Sequence, residues 1–160
     1  MAFAVGVLRM LGGWRTDLGK INNTLISGED HEIFIRLRRA SLYRGYYDPR
    51  VMVRHYVPPS RLTRRYFRRW FYWHGKTEAI MVNDLYPELD MTRVPRVAGV
   101  PRFLYRQGFQ QLRRWLGTIG GPDALEVLVE ELLLLQFAGL FAESWRRYVR
   151  SVGAPRFSIW

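Results

Sequence analysis

Three groups of residues in this chain have types and spacing that could do chemistry. The first is "SGEDHE", residues 27–32, where three carboxylates and an imidazole fill positions 29–32 of a basic sequence. Asp30, at a helix start beside a cleft, could take a proton from a hydroxyl, as a carboxylate held within hydrogen-bond distance can. The same letters also read as a helix start without chemistry. Ser27 and Asp30 fit the S-x-x-D/E capping signature, and acid in a first turn suits the helix dipole. The second is His55, after a β-prone run and before Pro58-Pro59. An imidazole at a strand end could bind a divalent cation or a diphosphate, although a lone histidine is commonly structural. The third is "RLTRRYFRRWFYW", residues 61–73. Arg61, Arg64, Arg65, Arg68 and Arg69 give a basic surface, and Tyr66, Phe67, Trp70, Phe71 and Trp73 give aromatic faces. Such a helix could bind phosphates, nucleic acid or an anionic membrane interface, or could be an amphipathic helix with a solvated basic face.

Composition bounds these options. The chain has 160 residues, enough for one domain with a real core, and its 48% apolar and 15% aromatic content argues against disorder. The net charge of +11 implies an anionic partner. Lys20 and Lys76 are the only lysines, so 23 of the 25 basic residues are arginine. Arginine binds phosphate bidentately and stacks on aromatic rings, although codon bias would give the same excess. The absence of cysteine excludes disulfides, thiol catalysis and thiolate metal sites. "MAFAVGVLRMLGG" lacks the early basic region of a signal peptide. The most apolar run, Leu132 to Ala142, is too short to span a bilayer and contains Gln136.

The elements that must position these groups read as mainly helical. Residues 1–11 are a short helix or a buried strand, and "GGWRTDLG", residues 12–19, is a turn-rich loop anchored by Trp14. A helix begins at Ser27, with Ile33, Phe34, Leu37 and Ala40 on one stripe and Glu32 paired with Arg36 at i,i+4. Residues 42–47 and 51–56 read as two short strands turning at Asp48-Pro49. Ser60 is expected to cap the arginine-rich helix and Gly75 to stop it. Pro87, Pro95 and Pro101 mark residues 82–100 as a linker. Two helices follow, one opened by Pro101 and closed by Gly120-Gly121, the other capped by Asp123. The fold class expected is α+β, mainly α.

Taken in order, these pieces resemble the C-terminal part of a family 2 glycosyltransferase, an inverting enzyme of the GT-A fold. The matching letters are "MAF", "LGGWRTDLG" and "SGEDHEIFIRLRRASLYRGYYDPRVMVRHYVPPSRLTRRYFRRWFYWHG", from Met1 to about Gly75. The resemblance implies roles. Asp30 would deprotonate the acceptor hydroxyl, and Glu29 would support it and shape the acceptor site. His55 would help bind the divalent cation, Mg or Mn, on the nucleotide-sugar diphosphate. Arg61, Arg65, Arg69 and Trp70 would bind phosphate or acceptor. Residues 1–81 would be the acceptor-side portion of the catalytic domain. Residues 101–160 would form a helical, possibly membrane-associated tail, placing the protein in the cytoplasm at the inner face of the membrane.

The sequence departs from that family in one respect. Its six aspartates, at 17, 30, 48, 84, 90 and 123, form no Asp-x-Asp, and nothing before Gly12 could form a nucleotide-binding βαβ unit. The chain therefore reads as a fragment lacking the N-terminal half of the GT-A domain, inactive in sugar transfer by itself and not expected to hold the cation alone. The alternative is a non-enzymatic basic amphipathic module on anionic membranes or nucleic acid, with nucleic acid the less expected partner.

Overall fold

The computed structural model describes residues 3–20, 22, 24–41, 45–86 and 88–153. It is mainly helical, with one two-stranded antiparallel sheet, which bears out the coarse α+β, mainly α class. The elements are α1 (Val5–Met10), α2 (Glu29–Arg39), α3 (Arg64–Met81), β1 (Arg96–Val97), β2 (Val100–Pro101), α4 (Arg102–Thr118) and α5 (Ala124–Gly153), with a 3-10 turn over Pro59–Arg61.

α3 and α5 form the frame. Their backbones approach closely because a glycine faces the partner on each side. A Cβ on Gly75 would stand 1.8 Å from the Gln136 carbonyl oxygen, and one on Gly139 would stand 1.9 Å from that of Tyr72. Gly75 therefore does not stop α3: a residue without a side chain lets α5 pack onto the helix interior, and α3 runs on to Met81. At the rim of the crossing Arg68 donates to both Glu131 oxygens at 2.8 and 2.9 Å, and Gln136 donates to Glu78 at 2.7 Å. α4 packs on the other side of α5. Ala79, Val82, Met91, Val100, Leu104 and Leu140 form the buried cluster, with Phe103, Tyr105, Phe137 and Phe141 against it. Met91 and Val100 come from the proline-containing stretch 82–100, which thus joins the core. β1 and β2 pair Arg96 with Pro101 and Val97 with Val100 across Ala98-Gly99. Both turn residues have positive φ, 48° and 79°, the type I′ geometry that matches strand twist.

α2 rests on the C-terminal half of α3. Its N-cap is Gly28, at φ 96°, where a Cβ would lie 2.9 Å from both the Met81 sulfur and the Thr77 methyl. Only glycine meets both the left-handed backbone and the close approach. The expected Ser27 cap is therefore not formed; the Ser27 amide instead donates to the Thr77 hydroxyl at 3.2 Å. Ile33 and Leu37 are buried as expected, whereas Ala40 is exposed. Glu32, buried, pairs with Arg36 at 2.7 Å. Arg36 also donates to the carbonyls of Leu11 and Gly13, the latter at 2.7 Å, and so ties the chain after α1 to α2. Asp84 accepts from Arg39 at 2.7 Å and from Arg15 at 3.4 Å, closing the same region onto the end of α3.

The other sequence expectations divide. Pro101 precedes α4, Gly120-Gly121 follow it, and Asp123 caps α5 by accepting from the amides of Leu125 and Glu126 at 2.8 and 3.2 Å. Thr63, not Ser60, caps α3, accepting from the Tyr66 amide at 3.2 Å, because Pro59–Arg61 is taken up by the 3-10 turn. The two strands are not formed. Residues 45–47 and 51–58 carry no ladder; residues 42–44 lie outside the described residues. The turn at Asp48-Pro49 does form, with the Val51 amide donating to the Asp48 carbonyl at 3.1 Å. The flanking segments have β-prone side chains but no neighbouring strand to pair with, and an isolated hairpin is marginal in water.

Candidate functional site

The acidic turn is built by the close α2–α3 contact. Gly28 brings the chain over Thr77 and Met81, and α2 starts with Glu29, Asp30 and Glu32 in its first turn. Gly28 offers no side-chain acceptor, so the first-turn amides and the helix dipole favour negative charge there. The three carboxylates then take different positions. Glu32 is buried and committed to Arg36. Glu29 is half-buried, and its Oε2 is enclosed and accepts no hydrogen bond from the described residues. Its carboxyl carbon lies 4.0 Å from where a Cβ of Gly19 would stand, so the 12–19 loop lies close over it. Asp30 is exposed. It is therefore the carboxylate of the three that a solvent-borne hydroxyl can reach, with Glu29 beside it under the loop. On the next face of α2, His31, Phe34, Ile35 and Arg38 line a hollow of about 320 Å³.

The loop itself is fixed by charge and aromatic contacts. Arg15 donates to Asp17 through two nitrogens, at 2.9 and 2.7 Å. The hydrogen bond from Arg15 holds the Asp17 carboxyl below the usual carboxylate range. Phe3 packs edge-on to Trp14 at 5.3 Å and against Phe34 at 5.7 Å, so the Trp14 anchor read from sequence is in place.

A second cleft forms where the chain enters α3. His55, Arg61 and Trp70 share a hollow of about 250 Å³ with Tyr66, Phe67 and Phe71. Val57 and Leu62 complete the wall; these two were not read from the sequence, since neither lies on a helical repeat. The aromatic walls were legible, because Tyr66–Trp70 and Phe67–Phe71 are i,i+4 pairs on adjacent rows of a helix. Trp70 stacks on His74 at 5.0 Å, nearly parallel, which fixes its ring. Arg65 and Arg69 lie on exposed positions of α3 and are not among the residues lining the cleft. The two clefts are distinct: Glu29 and Asp30 do not line the one at His55.

The residues around His55 do not suit a divalent cation. No carboxylate is among those lining its cleft, and the nearest charged partner there is the Arg61 guanidinium. Among the described residues no group of three or more His, Asp or Glu side chains gathers at one point. Hard cations such as Mg need several oxygen ligands. The donor set at His55 is that of an anion site.

The tail makes structural rather than site contacts. In "QLRRW", Gln111 is buried and donates to the Glu130 carbonyl at 3.1 Å and carboxylate at 2.6 Å, linking α4 to α5. Glu143, 3% exposed, accepts from Arg146 and Arg147. Burial pushes its carboxyl up, but the two guanidiniums outweigh burial and hold it below the ordinary range. Compared with known proteins, the chain matches no family model, no curated protein and no solved structure.

Proposed function

We propose that the chain forms the acceptor-side portion of an inverting, nucleotide-sugar-dependent glycosyltransferase of the GT-A type, with Asp30 as its base. The observation that carries this reading is the Glu29–Asp30 pair at the start of α2, where Asp30 is exposed and Glu29 is enclosed under the 12–19 loop. Asp30 takes the proton of the acceptor hydroxyl. The freed oxygen bonds to the anomeric carbon of the donor from the face opposite the leaving group, and the bond to the diphosphate breaks. Glu29 holds the acceptor side of the pocket. Arg61, Arg65, Arg69 and Trp70 take the phosphate or acceptor groups. Among the described residues there is no βαβ unit, so no part of the donor site is assigned to them, and the purified chain is expected not to transfer sugar.

The test is made in cells. Glycoconjugates are compared by mass spectrometry between the wild type, a gene deletion and Asp30→Asn at the native locus. Loss of one glycoconjugate in the deletion, with Asp30→Asn reducing it at least about 100-fold at wild-type protein level, is the expected result, since a general base contributes about 10²–10⁴. A deletion that leaves every glycoconjugate unchanged overturns the sugar-transfer reading. A normal profile in Asp30→Asn overturns the base assignment.

A second reading, contact with an anionic membrane at its cytoplasmic face, is favoured by Val51, Met52, Val53 and Tyr56. These are 73–87% exposed and interleave with the exposed Arg50 and Arg54. Such contact would be at the surface, since no helix among the described residues is long and apolar enough to cross a membrane. It would appear as vesicle binding that weakens with salt and survives Asp30→Asn.

A further inference from the structure

We propose that the cleft at the start of α3 binds a phosphate monoester carried on an alkyl chain: a lipid phosphate. The walls and the rim of the cleft differ in chemistry. Val57, Leu62, Phe67 and Phe71 supply apolar walls, and Trp70 supplies a ring whose orientation is set by stacking on His74. His55 and Arg61, both exposed, stand among these side chains as the basic groups, and no carboxylate lines the space. An apolar slot edged by an imidazole and a guanidinium complements one kind of ligand, an anionic head on an apolar stem. Arg61 can donate two parallel hydrogen bonds to phosphate oxygens.

Size and polarity narrow the choice. At about 250 Å³ the cleft falls just under the range of roughly 300–1,000 Å³ of sites that enclose whole small molecules. It suits the head and first carbons of a chain rather than an entire lipid. A nucleotide fits less well. Its base would be left with one side-chain hydroxyl in the lining, that of Tyr66, to meet several edge donors and acceptors. Free phosphate gains nothing from the four apolar walls. The position also suits a chain arriving from a bilayer, because the cleft continues from the exposed apolar residues Val51, Met52 and Val53.

Arg61 and Trp70 were given above to phosphate or acceptor binding. Here they receive a ligand class, and the dependence on the sugar-transfer reading goes no further. The test uses the purified 160-residue chain and dodecyl phosphate below its micelle threshold, titrated calorimetrically. Saturable binding is expected. The double variant His55→Ala/Arg61→Ala should weaken it at least tenfold, and so should Leu62→Asp, with unchanged circular dichroism, since all three positions are exposed. Arg113→Ala/Arg114→Ala on α4, which removes basic side chains elsewhere, should leave affinity within twofold, as should Asp30→Asn. Equal affinity for dodecyl maltoside or for inorganic phosphate overturns the proposal, as does tighter binding of uridine monophosphate. An α4 variant that weakens binding as much as the cleft variant also overturns it, by showing that charge alone is read. If these binding results fail while Asp30→Asn abolishes the glycoconjugate in cells, only the lipid-phosphate inference falls.

Discussion

The α3–α5 crossing and the 45–58 segment are built from similarly apolar letters and come out opposite. At the crossing, Gly75 and Gly139 let two backbones touch, and Thr77, Ala79, Leu132 and Leu140 are buried around them. In the segment, Tyr46, Tyr47, Met52 and Val53 are 84–89% exposed although they are among the most β-prone and apolar residues in the chain. The difference lies in where the backbone hydrogen bonds go. A helix satisfies its own, so α3 and α5 need each other only to bury a face. A strand must find its partner outside itself. Hydrophobicity makes burial favourable, but only an element with satisfied backbone groups can be buried.

The largest break in this contrast is expected at the crossing. Gly75→Ala or Gly139→Ala places a methyl within 2 Å of a carbonyl oxygen on the partner helix. The helices must separate, opening the core they share. Each substitution should cost more than about 3 kcal/mol, the upper end for overpacking, read as a fall in the urea midpoint. If either leaves the midpoint unchanged, the close approach is wrong.

A smaller effect is expected at Glu143, on the same helix. Its folded carboxyl titrates below its ordinary 4.5. A carboxylate with a depressed folded value contributes stability that is full above the unfolded value and is lost as pH falls through the lower folded one. Stability should therefore drop on acidification below about pH 4.5, and Glu143→Gln should flatten that part of the stability–pH curve. An unchanged slope in the variant would show that Arg146 and Arg147 do not hold the charge.

The smallest effect belongs to the exposed segment. Met52→Ser and Val53→Ser should change stability by less than about 0.5 kcal/mol, as for surface sites without partners. A cost above about 1.5 kcal/mol, in the range of buried aliphatic side chains, would show that the segment is covered in solution.

Much of the helical content was legible. Pro101, Gly120-Gly121 and Asp123 mark helix ends by rules that need only neighbouring residues, and the structure follows them. The Glu32–Arg36 pair was legible for the same reason. Caps decided by distant contacts were not. Ser27 is adjacent to the α2 start but donates to Thr77, and the place of the cap is taken by a glycine fitted against Met81. Gly75 reads as a stop because glycine is a poor helix former. Only the carbonyl of Gln136, 61 positions away in sequence, explains why it stands in mid-helix.

The candidate sites divide along the same line. The residue types of both were fixed by sequence: an acidic pair at a helix start, and arginines interleaved with aromatic rings. Which carboxylate faces solvent was decided by tertiary structure, through Arg36 claiming Glu32 and the 12–19 loop lying over Glu29. The same holds for His55, whose neighbours turn out to be Arg61 and apolar walls rather than carboxylates. Local sequence sets what a backbone can do and which charges are available. Burial and charge pairing come from contacts between residues far apart in the chain, and these decide which of those groups remain open for chemistry.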